Sequence, residues 1–153
     1  MIYSSFEAHE LARFCDREQV DMLVLPTAWL MPEEDLAALG SRRTPEENQQ
    51  PSLPLLNYWV MRTLPLWLPG ASKSPAGRIT YMVACNRTGK EIGTCTPRRS
   101  AADPADTQFG GTSSVLRFVR NKEANLLGAA GSNADALLQV AIPCLLYTSP
   151  SPR

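Results

Sequence analysis

The sequence predicts an α/β (α+β) fold with a mixed sheet, and three observations support this prediction. An amphipathic helical pattern near the start is followed by a short, continuous apolar run. A second helical pattern is followed by a second apolar run, and the last third of the chain contains further strand-like segments. A helix next to a buried strand is half of an α/β unit. The 153 residues are enough for one domain with a hydrophobic core.

The first helix and strand are predicted from the spacing of their apolar residues. Ser4 and Glu7 have the spacing of a capping box, which satisfies free amides at a helix start. An apolar helix face follows at i, i+3, i+4 and i+7, formed by Ala8, Leu11, Ala12 and Cys15. Residues 21–25 do not alternate, which predicts a central strand covered on both faces. Pro26 is expected to end the ladder, because it has no amide to donate.

The middle of the chain predicts a loop, a helix and a strand. Residues 40–51 are polar and predict an exposed loop. A second helix is predicted over residues 56–67, with Pro65 breaking or kinking its end. The apolar residues of this helix are Leu56, Trp59, Val60, Leu64 and Trp67. Residues 79–85 are rich in β-branched and aromatic side chains and predict a second buried strand.

The last third of the chain predicts an insertion and two strands. Residues 93–108 have few apolar side chains and predict a mobile insertion. Gly110 and Gly111 are predicted to permit an unusual backbone at a strand entrance. Residues 112–119 and 137–142 predict strands, with a turn at residues 121–123 between them.

Composition and charge exclude several classes of protein. Fifteen basic and fifteen acidic residues give no net charge, which argues against nucleic-acid or membrane-surface partners. No apolar run reaches the roughly 18 residues that span a bilayer. The first residues lack the basic start and apolar centre of a secretory signal. We therefore predict a cytoplasmic protein without a nucleic-acid or membrane partner, and no cofactor.

The cysteines do not predict a metal site or a disulfide framework. Cys15, Cys85, Cys95 and Cys144 lack the spacing of a zinc knuckle, and His9 is the single histidine. Cys15 lies on the apolar helix face, so we interpret it as a core residue with little reactivity. Cys85 ends a predicted strand and is only a weak candidate for a nucleophile.

Four short motifs, in this order, resemble the carbon–nitrogen hydrolase (nitrilase) superfamily. They are DMLVLPTAWL, NYWVMRTLPLW, VACNRTGKE and GGTSSVLRF. Within the superfamily, the chain is most similar to the fungal-type protein N-terminal asparagine and glutamine amidohydrolases. The resemblance implies that residues 1–143 form the C-terminal half of a nitrilase-type αββα sandwich, which is therefore incomplete. Residues 144–153 are expected to be a non-native or disordered tail.

The resemblance also implies substrate-pocket candidates at two strand ends. Thr27, Ala28 and Trp29 follow the first strand, and Asn86 and Arg87 follow the second. Ligands of open α/β sheets bind outside the carboxyl ends of strands, which agrees with this placement. A structural interpretation remains open for three of them: Trp29 caps the core, and Asn86 and Arg87 bond to loop backbone.

The catalytic residues that the resemblance implies are a Glu base, a Lys and a Cys nucleophile. Related enzymes place all three before the Pro-Thr-Ala-Trp motif, so they are expected upstream of Met1 and no catalytic residue is assigned within this chain. We therefore expect the full-length parent to be an amidase acting on linear amides and this chain alone to be inactive. The expected partners are protein N-termini or a small amide substrate, with a homo-oligomer as an option. A pantetheinase-like or ureidopropionase-like amidase and a non-catalytic relative remain alternatives.

Overall fold

The computed structural model describes residues 9–30, 49–73, 75–91 and 107–142. Within these ranges it contains two α-helices, a 3₁₀ turn and six strands. In chain order they are α1 (Glu10–Arg17), β1 (Met22–Thr27), α2 (Leu53–Arg62), the 3₁₀ turn (Leu64–Leu66), β2 (Ile79–Asn86), β3 (Lys90–Glu91), β4 (Thr107–Gln108), β5 (Ser114–Val119) and β6 (Glu123–Ala129).

Four of the strands form one mixed sheet in the order β1-β2-β5-β6. β1 and β2 are parallel, whereas β2–β5 and β5–β6 are antiparallel. The chain that connects the parallel pair contains α2, as parallel pairing requires a crossover. β3 and β4 form a separate two-stranded ladder. The predicted α/β fold with a mixed sheet is confirmed at this level.

The helices pack on one face of the sheet and enclose the core. α1 and α2 contribute Ala12, Cys15, Leu55 and Trp59. The sheet contributes alternate residues of β2 and β5, namely Met82, Ala84, Leu116 and Phe118. Each of these side chains is at least nine-tenths buried. Period-two alternation on the strands therefore supplies one side of the core, and helical spacing supplies the other.

The prediction that β1 is a central strand is wrong for the described sheet. β1 pairs only with β2 there, and its exposure alternates along the strand. Leu23 and Leu25 pack against the core, whereas Met22 and Val24 are 47% and 54% exposed. Although the sequence of β1 does not alternate in polarity, one face of the strand is covered by the core and the other face is open.

Pro26 does not end the strand, which continues to Thr27. Asp21 O and Thr27 O accept hydrogen bonds from Tyr81 N and Arg87 N of β2, at 2.9 and 3.0 Å. Backbone groups alternate in direction along a strand, so residues 21, 23, 25 and 27 bond to β2 and Pro26 faces the open edge. The missing amide therefore costs the β1–β2 ladder nothing, and this is where strands tolerate proline.

Both predicted helices are confirmed, with different boundaries. His9 is the N-cap residue of α1, and its Nδ1 lies 3.0 Å from the carbonyl oxygen of Arg62. The capping box of Ser4 and Glu7 lies outside the described residues.

α2 begins before the predicted segment, with a proline in its first turn, where the missing amide has no helical partner anyway. It ends at Arg62, and Pro65 lies in the 3₁₀ turn that follows.

The strand predicted at residues 79–85 is confirmed as β2, and the one predicted at 112–119 is confirmed as β5. The predicted turn is also present, with Asn121 at φ 58°. It leads directly into β6, a strand that the sequence analysis missed.

The strand predicted at residues 137–142 is wrong, because residues 130–142 contain no strand. Leu138 and Val140 instead lie against β6 at Gly128, where a Cβ would be 3.1 and 3.0 Å from their side chains. Leu137 is 93% exposed on the other side of this segment. Exposure therefore alternates along residues 137–142, a segment that lies against the sheet without joining its ladder.

Three predicted segments lie wholly or mostly outside the described residues. Residues 40–48 of the predicted loop, residues 93–106 of the predicted insertion and residues 144–153 of the predicted tail belong to this group. The end of the predicted insertion is described, and there the prediction is wrong, because Thr107–Gln108 is a strand paired with Lys90–Glu91.

A buried ion pair connects the sheet to α1 on the side away from β1's carboxyl end. Arg120 follows β5 and is 1% exposed, and its Nη2 lies 2.6 Å from Asp16 Oδ1. Ser72 Oγ donates a hydrogen bond of 2.7 Å to the other carboxylate oxygen. Two charges this far apart in sequence form no local pattern, so the sequence analysis did not find them.

Candidate functional site at the carboxyl ends of β1 and β2

Thr27 and Asn86 lie side by side where the two parallel strands end. Because the strands are parallel and in this register, Ala28 and Trp29 leave the sheet at the same edge as Arg87. The structure therefore brings all five predicted pocket candidates together. They lie outside the carboxyl ends of neighbouring strands, which is where open α/β sheets bind ligands.

Asn86 is the centre of a hydrogen-bond network that joins three chain segments. Its Oδ1 accepts from Trp29 N at 2.7 Å and from the Thr27 hydroxyl at 3.0 Å. Its Nδ2 donates to the carbonyl oxygen of Gly111 at 2.6 Å. Asn86 is 7% exposed, so these bonds form away from bulk water, where an unpaired polar group is costly. This is the structural role that the sequence analysis left open for this residue.

The third segment, residues 110–113, is held against the two strand ends by its own backbone. Gly110 N donates to Trp29 O at 2.8 Å, and Gly111 N donates to Arg87 O at 3.1 Å. The Ser113 hydroxyl accepts from the backbone nitrogen of Asn86 at 3.0 Å and donates to its carbonyl at 3.1 Å. The strand ends and this segment therefore form one connected unit.

Two residues of this segment have left-handed backbone. Gly111 has φ 52° and Thr112 has φ 60°, the latter rare for a β-branched residue. Thr112 is fully buried, and its Oγ1 accepts from Ser52 N at 2.9 Å. The unusual backbone predicted for the glycine pair is confirmed at Gly111, while Gly110 lacks a positive φ.

Trp29 packs into an aromatic cluster with two residues of α2. Its ring centroid lies 4.5 Å from that of Tyr58 and 5.9 Å from that of Trp59. The two partners are in turn 5.1 Å apart in an edge-to-face arrangement. Trp29 is half-buried, so one part of the ring closes the core and the other part remains at the surface. Ala28 beside it is exposed.

Arg87 is held at the rim by two contacts. Its guanidinium carbon lies 4.5 Å from the ring centroid of Phe109, a cation–π geometry. The same guanidinium forms an ion pair with Glu91, four residues further on. The side chain is half-exposed, so part of the guanidinium remains accessible at the surface beside its Glu91 partner.

Several residues that position these candidates were not predicted in that role from the sequence. Tyr58 and Phe109 supply the aromatic contacts of Trp29 and Arg87, and Gly111 supplies the carbonyl that Asn86 binds. By contrast, the i, i+4 spacing of Arg87 and Glu91 is visible as a local pattern in the sequence. The other contacts depend on how distant segments meet.

One small cavity lies between α1, β1 and α2, on the core side of the sheet. Its volume is about 10 Å³, and it is lined by Leu11, Ala12, Leu23, Leu25, Trp59, Arg62, Thr63 and Met82. A cavity of this size holds about one water molecule. None of the five candidates lines it, so it is distinct from the candidate site.

The two described cysteines differ in environment. Cys15 is buried in the core, and burial raises the pKa of its thiol, which disfavours the reactive thiolate. This agrees with its interpretation as a core residue. Cys85 is exposed near the end of β2. Cys95 and Cys144 lie outside the described residues.

We expect Asn86→Ala to lower the free energy of unfolding by about 2–5 kcal/mol, because Trp29 N and Gly111 O would lose their partner in a buried environment. Asn125→Ala is the matched control, since Asn125 Nδ2 has no hydrogen-bond partner in the described part of the chain. Urea denaturation of both variants checks the prediction. Equal losses in the two variants would mean that Asn86 does not hold the three segments together.

Across residues 9–30, 49–73, 75–91 and 107–142, no group of three or more His, Cys, Asp or Glu side chains has the arrangement of a metal site. Neither described α-helix has the length and apolar character to cross a bilayer.

Comparison of this chain with protein-family models, curated proteins and solved structures gives no match.

Proposed function

We propose that this chain is the C-terminal half of a carbon–nitrogen hydrolase domain that removes the side-chain amide from an N-terminal Asn or Gln. The observation that supports this most is the Asn86 network. It fixes the Pro-Thr-Ala-Trp and Asn-Arg motifs, distant in sequence, at one edge of a parallel strand pair. They belong to two of the four motifs that carry the resemblance to the nitrilase superfamily.

The proposal assigns different roles to the residues at this edge. Asn86 is a positioning residue, because its side-chain amide already bonds to Trp29 and Gly111. The surface part of Trp29 forms one wall of the pocket, and exposed Ala28 leaves room beside it. Arg87, fixed by Phe109 and Glu91, places a positive charge at the rim, where it would attract the carbonyl oxygen of a peptide substrate.

The chemistry of the proposed reaction requires groups that this chain does not provide. A Cys thiolate attacks the amide carbonyl, ammonia leaves, and water hydrolyses the thioester that has formed. A Lys stabilises the negative charge that develops on the oxygen, and a Glu transfers the protons. Under the proposal, these three residues lie upstream of this chain in the parent protein.

A second candidate function is binding without catalysis, as a non-catalytic relative. Under this candidate function, as under the first, Cys15 is a core residue, because burial raises the pKa of its thiol and leaves it unsuited to nucleophilic attack. Another amidase of the superfamily, acting on a pantetheine-like or ureido amide, keeps the same site and changes the substrate.

The experiment measures ammonia release from a peptide with N-terminal Asn. We expect none from the 153-residue chain, and turnover from a protein extended upstream of Met1. In the extended protein, Trp29→Leu is expected to raise KM about tenfold, equivalent to about 1.4 kcal/mol of binding. Trp67→Leu is the control, because Trp67 Nε1 donates to Val60 O within the helical layer, away from the strand ends.

Two results would contradict the proposal. Ammonia release by the 153-residue chain alone would show that its own residues are sufficient. An extended protein that turns over pantetheine-like or ureido amides but not N-terminal Asn or Gln peptides would reassign the substrate within the superfamily.

A further inference from the structure

Glu91 is a partly buried carboxylate beside the candidate site. It ends β3, and its Oε1 forms the ion pair with the guanidinium of Arg87. Of its side chain 32% is exposed, so the carboxylate is accessible but partly shielded from water. A carboxylate has about four acceptor positions, so a pair made by one oxygen leaves the other able to bind a second cation.

Arg87 and Phe109 connect Glu91 to the pocket wall at Trp29. The guanidinium carbon of Arg87 lies 4.5 Å from the centroid of the Phe109 ring. The backbone of Phe109 forms a β-bridge with Leu30, the residue after Trp29. Phe109 therefore holds the charged pair and the aromatic wall at the same edge of the sheet.

The adjacent charges of Glu91 and Arg87 match the amino terminus of a peptide. There the α-ammonium group and the carbonyl oxygen of the same residue are roughly 3 Å apart, as the covalent dimensions of the backbone require. The first group is positive and the second is partly negative. An internal Asn or Gln has an uncharged amide nitrogen instead, so it offers Glu91 no cation.

We propose that Glu91 determines the specificity of this site for amino-terminal residues. Its carboxylate binds the α-ammonium group, while Arg87 binds the carbonyl oxygen of the same residue. A hydrogen bond between two charged groups is stronger than a neutral one, above all where water is partly excluded. This inference rests on the proposed function and names the group that restricts the reaction to peptide N-termini.

Two other charged side chains near Glu91 fit this role less well. Asp135 accepts a hydrogen bond of 3.0 Å from the Thr88 hydroxyl, but it is exposed, so water and salt weaken its field. Lys90 precedes Glu91 in β3, and successive side chains of a strand point to opposite faces. Glu91 combines partial burial with a contact to Arg87.

The test measures peptide binding to the protein extended upstream of Met1. The peptide has N-terminal Asp, the product of the proposed reaction, so it is not consumed, and its N-acetylated form is compared with it by titration calorimetry. We expect the free peptide to bind about tenfold or more tightly than the acetylated one near neutral pH. This advantage should disappear above about pH 9, because the α-amino group, with a pKa of about 8, has then lost its proton.

Three variants make the test specific to Glu91. Glu91→Gln is expected to abolish the advantage of the free peptide and to leave binding of the acetylated peptide unchanged. Arg87→Gln should weaken binding of both peptides alike and preserve the advantage, because Glu91 keeps its charge. Glu123→Gln is the matched control, since Glu123 pairs with Arg117 at 3.6 Å near the amino-terminal end of β2, and it should keep the wild-type constants.

Three results would overturn this inference. They are undetectable binding of the free peptide, an advantage that Glu91→Gln leaves unchanged, and equal effects of Glu91→Gln and Arg87→Gln on both peptides. The last result would show that Glu91 only holds Arg87 in place. Ammonia release is measured separately, so a protein that releases ammonia without this preference contradicts the inference alone. One that prefers the free peptide through Glu91 but releases no ammonia contradicts the proposed function alone.

Discussion

Replacing Asp16 by alanine is expected to lower the free energy of unfolding by about 3–5 kcal/mol. The carboxylate lies 2.6 Å from the guanidinium of Arg120, of whose side chain 2% is exposed. Arginine cannot lose its proton in a protein, so the variant leaves an uncompensated buried charge. The remaining contact in this region, from Arg120 Nη1 to Gln19 Oε1, is 3.4 Å long and carries no opposite charge.

Two further variants make the test of this ion pair specific. Glu18→Ala removes the carboxylate of an exposed pair with Arg17, whose side chains are 49% and 69% exposed, and it should change stability by less than about 1 kcal/mol. The double variant with Asp16→Leu and Arg120→Met removes both buried charges and should recover much of the loss. Equal effects of Asp16→Ala and Glu18→Ala in urea denaturation would show that the buried pair contributes little.

Replacing Gly111 by alanine is expected to cost about 3 kcal/mol or more. A Cβ at this position would lie 2.2 Å from the carbonyl oxygen of Ser132 and 2.7 Å from its carbonyl carbon. Both atoms belong to the backbone, so relief requires a chain segment to move. The positive φ of Gly111 adds to the strain, because it is unfavourable for any residue with a Cβ.

Gly110→Ala is the matched control for this prediction. A Cβ there would have its nearest neighbour, Trp29 O, at 3.6 Å, which is an ordinary contact. We expect it to change stability by less than about 1 kcal/mol. Thermal unfolding of the two variants checks the difference. If Gly111→Ala and Gly110→Ala unfold at the same temperature, residues 110–113 and Ser132 do not pack as described.

Local patterns in the sequence were sufficient to predict much of the fold. The i, i+3, i+4, i+7 spacing of Ala8, Leu11, Ala12 and Cys15 in the sequence predicted α1, since one helix face must be apolar to pack on a sheet. The β-branched and aromatic run at residues 79–85 predicted β2 for a comparable reason. In α1 and β2, apolar side chains of these patterns lie in the core, so the sequence pattern and the observed burial agree.

The errors in the fold prediction have physical causes. β6 reads Glu-Ala-Asn-Leu-Leu-Gly-Ala and has no β-branched residue, so its strand state comes from pairing with β5 rather than from propensity. Residues 137–142 are mostly apolar, as in a buried strand, but Leu138 and Val140 pack over Gly128 without joining the ladder. The open face of β1 was also not predictable, because Met22 and Val24 are as apolar as buried residues.

The site was predictable in its location but not in its contacts. The residues that follow β1 and β2 were named as pocket candidates from the resemblance, in agreement with the rule that ligands of open α/β sheets bind outside the carboxyl ends of strands. The part played by Gly111 and Ser113 was not predictable, since both depend on hydrogen bonds to Asn86 across at least 25 residues. The packing of Trp29 on Tyr58 depends on the position of α2 and was likewise absent from any local pattern.

The coding sequence upstream of Met1 tests most directly whether this chain is the second half of a thiol-dependent amide hydrolase. The account predicts an open reading frame that encodes a Glu, then a Lys, then a Cys. The Cys should lie at least a helix's length before the strand that leads to Pro26. An in-frame stop codon immediately upstream, with none of these three residues encoded, would contradict it.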